Sequence, residues 1–125
     1  MPDLGRALSA FAGGAFVLIG AFAIALPAQL ARGYGIPVSG RDALSFVRAT
    51  GARDAALGII LLAATVSGTE PLLRVVVATG CAVALADFAL AYGGAGRQLR
   101  PQHLTHLAGA IAFAVIFLLL FHARR

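Results

Sequence analysis

The sequence predicts an all-α fold: an integral membrane four-helix bundle threaded up-down-up-down. Three observations predict it. Hydrophobic residues make up 60% of the chain and charged ones only 12%, whereas a soluble domain carries about a quarter charged residues. Apolar residues gather in four stretches, about 7–30, 43–66, 72–92 and 104–122, each near the roughly 20 residues that cross a bilayer. Glycine, proline and arginine stand between the stretches, as turn formers and interfacial anchors should. A chain of 125 residues has room for a single membrane domain, 1–125.

The first stretch runs from Ala7 to Leu30 with only Ser9 and Gln29 polar. Ala23-Ile24-Ala25 imitates a signal-cleavage site, but the apolar run exceeds an ordinary h-region and Asp3 balances Arg6. A retained span is therefore expected. Gly13, Gly14 and Gly20 lie along it, and small residues let helices approach closely in lipid. Leu30 to Gly40 reads as a connector, with Arg32 and Tyr34 suited to the headgroup level.

Ser39 followed by Asp42 resembles a capping box, so the second helix begins near Gly40 and reaches about Ser67. That exceeds a hydrocarbon core of about 30 Å, which puts its first turns in the interface and lets Arg48 snorkel. Gly68-Thr69-Glu70-Pro71 is a turn, with Pro71 in the first turn of the third helix. Glu70 and Arg74, four residues apart, read as a surface ion pair. Gly93-Gly94-Ala95-Gly96 stops that helix; Arg97, Arg100 and Pro101 form the last loop, and Leu104 to His122 makes the fourth span.

All ten basic residues are arginine and the net charge is +5. They are scattered and no tryptophan is present, which argues against a nucleic-acid surface. Arginine counts on the two sides nearly balance; loops one and three, with Arg32, Arg41, Arg97 and Arg100, are expected on the cytoplasmic side. The lone Cys81 has no disulfide partner and reads as a small buried hydrophobe.

The stretch that carries chemistry is Gly51-Ala52-Arg53-Asp54-Ala55-Ala56-Leu57-Gly58, inside the second span. A charge at the centre of a spanning helix costs about 2.5–3.5 kcal/mol, so such residues face a bundle interior and find partners. Up-down-up-down threading sends the start of helix two, the end of helix three and the start of helix four to one side. Asp87 and His106 then lie roughly 8 Å below their helix ends at 1.5 Å per residue, and Arg53 and Asp54 fall at comparable depth. Arg53 is expected to reach Asp87, with at least one of the two aspartates left free of it. Asp87, His106, Asp54 and Arg53 are the candidate catalytic residues: Asp87 or Asp54 as the acid, with Asp87 preferred, His106 as partner base, and Arg53 clamping Asp54. Thr50, Gly51 and Gly58 share the face of Asp54, and together with Tyr92 and His103 they are the candidate substrate-lining residues. The glycines would let another helix close over the carboxylate. The opposite half of the bundle is expected to be purely apolar. His103 and His106 with Asp87 fall short of a metal-ligand motif, so neither a metal nor another cofactor is expected.

The pattern G-x-R-D-x-x-x-G, a lone aspartate late in the third span, a glycine pair and a histidine opening the fourth resembles a family of small four-span membrane proteins of bacteria and fungi. That family is catalogued as domain of unknown function 4267. The matching positions are Gly51, Arg53, Asp54, Gly58, Asp87, Gly93 and His106, with His103 an extra histidine. The resemblance implies the fold, the site positions and a multi-pass place in a membrane, with the bacterial inner membrane as the expected location. It implies no activity.

Three function classes are consistent with the residues. The cluster acts as an acid/base site on a lipophilic molecule entering from the bilayer, by isomerisation, cyclisation or epoxide opening; this is the preferred reading. Alternatively the chain is a small-solute or proton-coupled transporter, although its first span carries no acid. In the third class it is an accessory subunit whose charges only clamp the helices. The expected partners are the lipid bilayer and a lipophilic small molecule, with no nucleic acid; association into a homo-oligomer is left open.

Overall fold

The computed structural model describes residues 3–122. It contains α1 (Asp3–Ala25), α2 (Pro27–Gly33), α3 (Arg41–Ser67), α4 (Glu70–Gly94) and α5 (Leu104–His122), with a 3-10 turn over Pro101–His103 leading into α5. No strand occurs among the described residues. α1, α3, α4 and the segment ending in α5 are each long and apolar enough to cross a membrane. Arg124 and Arg125, which entered the charge count for the side opposite loops one and three, lie outside the described residues.

The first helix ends earlier than the hydropathy suggested. Leu26 leaves helical geometry with φ −131° and ψ 58°, as a residue before proline tends to do. Pro27 then opens the short α2, because its fixed φ suits a first helical turn. The connector to α3 shrinks accordingly to residues 34–40.

Helix pairing follows the small residues. α1 packs most extensively on α3 and α4 on α5, while the α3–α4 and α1–α5 seams are sparser. Gly13 and Gly20 of α1 meet Gly58 and Gly51 of α3 in antiparallel order, both pairs seven residues apart. A Cβ on Gly58 would stand 2.6 Å from the Gly13 carbonyl oxygen and 2.7 Å from the Val17 nitrogen. Only glycine permits that approach. In the other pair, a Cβ on Gly80 would come 2.7 Å from the Phe113 ring. The pairs join over Leu61, Ala64, Leu73, Val77, Phe113, Ile116 and Leu120, with Phe16 edge-on to Phe113 at 5.4 Å.

That apolar half is not free of charge. Arg6 donates to the carbonyl oxygens of Thr65 at 2.6 Å and Gly68 at 3.5 Å. Arg74 pairs with Glu70, donates to Leu120 at 2.6 Å and lies 5.2 Å from the Phe121 ring centroid. On the other side Arg48 Nε donates to the Ile24 carbonyl at 3.2 Å. Each of these arginines serves the C-terminal end of a different neighbouring helix: α3, α5 and α1. Terminal carbonyls lack partners within their own helix, and a cation also suits the negative end of its dipole. Helix capping thus adds to the anchoring and snorkelling roles expected for these arginines.

Candidate functional site

The buried stripe of α3 is Gly51, Asp54, Gly58, Leu61 and Ala64. Asp54 sits in it with a side chain only 6% exposed. Arg53, one residue earlier, faces the α3–α4 seam and is 43% exposed. Its Nε and Nη2 donate to Asp54 Oδ1 at 3.0 and 2.9 Å. The same Nη2 reaches Asp87 Oδ2 on α4 at 3.2 Å. The expected bridge between the second and third spans is therefore present. The expectation that one aspartate stands free of Arg53 is overturned, because the planar fork can serve two carboxylates at once.

His106 is 7% exposed and its Nε2 has no hydrogen-bond partner. Its ring lies edge-on to Tyr34, with centroids 4.6 Å apart, and within electrostatic reach of Asp54. No hydrogen bond joins His106 to Asp87 among the described residues. His103 is fully buried. Its Nδ1 accepts from the Arg100 backbone N–H at 3.2 Å, which places the proton of a neutral ring on Nε2. That Nε2 is also unpartnered. The Nε2–Cδ2 edge lies against Gly35, where a Cβ would approach both atoms to 3.1 Å and where φ is +76°.

Tyr34 is the residue that sequence reasoning left at the headgroup level. The connector brings it half-buried onto His106. Burial first, then the charges of Asp54 and Asp87, push its phenol from 10.0 up to about 12, against the opposing effect of Arg53. A signal for it was available in the threading. Loop one lies on the same side as the polar ends of α3, α4 and α5, so its aromatic could fold inward.

Other candidates sit at the margins. Thr50 donates to the Phe46 carbonyl at 3.1 Å. Tyr92 is half-buried and stacks on Phe88 with centroids 6.0 Å apart. Gly51 and Gly58 face α1, so the helix they admit is the first. Among the described residues no group of three or more His, Cys, Asp or Glu could hold a metal ion.

Two spaces bear on the chemistry. A groove of about 450 Å³ opens between α1 and α5, lined by Leu8, Phe11, Phe16, Ile19, Gly109 and Ile116 among others. Its walls are almost wholly apolar, and Gly109 is one helical turn from His106. At the centre of the bundle, Phe16, Leu57, Leu61, Val76, Gly80 and Phe113 surround a space of only about 10 Å³, near the minimum for one water.

Fold and site together define a class: a small helical bundle of four membrane-length helices with an Arg–Asp–Asp bridge beside two buried histidines and a tyrosine. The family model described as Domain of unknown function (DUF4267) matches residues 13–120, and the chain belongs to that family. No curated protein and no solved structure matches the chain.

Proposed function

We propose that this protein binds a neutral lipophilic molecule from the bilayer and exchanges a proton with it at the Tyr34–His106–Asp54 cluster. The observation that carries the reading is the buried, unpartnered Nε2 of His106, one turn from the apolar α1–α5 groove. A buried polar atom without a partner costs roughly 1–3 kcal/mol, and a ligand hydroxyl arriving along the groove would relieve that cost by donating to it. Arg53 against Asp54 and Asp87 leaves one net negative charge when the histidines are neutral, which disfavours an anionic headgroup. Tyr34, whose phenol is held protonated, is the donor to the oxygen of such a hydroxyl; His106 is the base. Isomerisation, cyclisation and epoxide opening are reactions that such a donor–base pair can accelerate. The proposed setting is a multi-pass place in the bacterial inner membrane.

A second reading has its own observation. Arg53 bonds both carboxylates, so one guanidinium holds both acids and would serve as a clamp between α3 and α4. One experiment tests both: mass spectrometry of lipophiles extracted from the purified protein and from its His106→Ala variant. A molecule enriched with the wild type and lost from the folded variant supports the binding site. Identical extracts with no enriched molecule would leave the clamp.

A further inference from the structure

We propose a second, separate site: an anionic phospholipid seat where α1, α2 and α3 meet, gripped by Arg32 and Arg48. A groove of about 300 Å³ opens there, with Leu26, Pro27, Gln29, Arg32, Leu44 and Arg48 among its walls. It exists because the chain breaks at Leu26 and turns into α2, leaving a notch between the end of α1 and the first turns of α3. No acid lines it. Two arginines thus face one apolar trough with no countercharge on its walls.

The two side chains are prepared differently. Arg48 is held by its Nε, which donates to the Ile24 carbonyl at 3.2 Å; its exposed guanidinium keeps two Nη groups for an outside acceptor. Arg32, in the last turn of α2, is exposed. A fork anchored at one nitrogen loses less freedom when it grips a phosphate. The place fits as well. α1 ends at Ala25 and α3 begins at Arg41, so the groove lies at the ends of two spans, where headgroup phosphates sit. Leu26, Pro27 and Leu44 offer a wall for the first acyl carbons. A phosphodiester bearing chains matches both the charge and the trough; a free anion would use the arginines alone.

The full chain in a neutral detergent is titrated with phosphatidylglycerol, phosphatidylcholine or inorganic phosphate, and bound adducts are read by native mass spectrometry. Phosphatidylglycerol is expected to bind preferentially and to resist displacement by phosphate. An arginine at an anionic membrane surface is worth about fivefold in affinity, so Arg32→Gln should weaken phosphatidylglycerol by about that factor. Arg48→Gln should do at least as much, and Arg97→Gln, on the other loop, should change nothing. Because Arg48→Gln also disturbs the Ile24 contact, Arg32→Gln decides the matter if the former fails to fold. Equal binding of the two lipids, displacement by phosphate, or unchanged affinity in Arg32→Gln would each overturn the site.

Discussion

Arg53 Nη2 stands 3.2 Å from Asp87 Oδ2 while also holding Asp54 Oδ1 at 2.9 Å. One guanidinium therefore ties α3 to α4 across a seam that has few other contacts. The two carboxylates differ in depth: Asp54 is 6% exposed and Asp87 is 26% exposed. Losing the arginine would therefore strand the first more severely than the second.

Arg53→Ala is expected to lower stability by roughly 2–3 kcal/mol. That lies at or below the 3–5 kcal/mol of a fully buried broken pair, since the guanidinium is 43% exposed. Arg48→Ala gives up one hydrogen bond to Ile24 and should lose about 1 kcal/mol. Reversible unfolding in detergent compares them. Equal losses would mean that Arg53 is solvated and the bridge is weak.

Gly58→Ala should destabilise by about 1–3 kcal/mol, because overpacking forces backbone shifts and the new Cβ has the Gly13 oxygen and Val17 nitrogen within 2.7 Å. Gly14→Ala meets nothing within 4 Å and should gain up to about 1 kcal/mol from helix propensity. Similar behaviour of the two variants in the same unfolding assay would contradict the antiparallel glycine contact.

Tyr34 makes stability depend on alkaline pH. Its folded value of about 12 lies above the ordinary 10.0, so the unfolded chain gives up the phenolic proton first. The contribution is whole below about pH 10 and is lost as pH rises toward about 12. Unfolding measured across that window should show a falling slope that Tyr34→Phe lacks. A slope unchanged in the variant would place the ionising group elsewhere.

Asp87→Asn separates chemistry from clamping. The amide keeps an oxygen for Arg53 but cannot exchange a carboxyl proton. If only Tyr34, His106 and Asp54 handle the proton, the variant should fold and retain its co-purified lipophile. Loss of folding would favour the clamp, and loss of ligand turnover alone would return the acid role to Asp87.

The sequence by itself determined the number of spans and the depth of each polar residue. Hydropathy marks where a helix enters and leaves an apolar slab, and the fixed rise per residue converts position into depth. Asp54, Asp87 and His106 were therefore legible as neighbours in height, and the Arg53–Asp87 contact followed. Tertiary structure decided azimuth. These helices are apolar nearly all round, so no periodic stripe says which face turns inward; close packing at Gly13, Gly20, Gly51 and Gly58 does. That rotation carries Arg53 onto both aspartates. The break at Leu26–Pro27 and the left-handed Gly35 then fold the connector so that Tyr34 covers His106, a placement that depth alone cannot express.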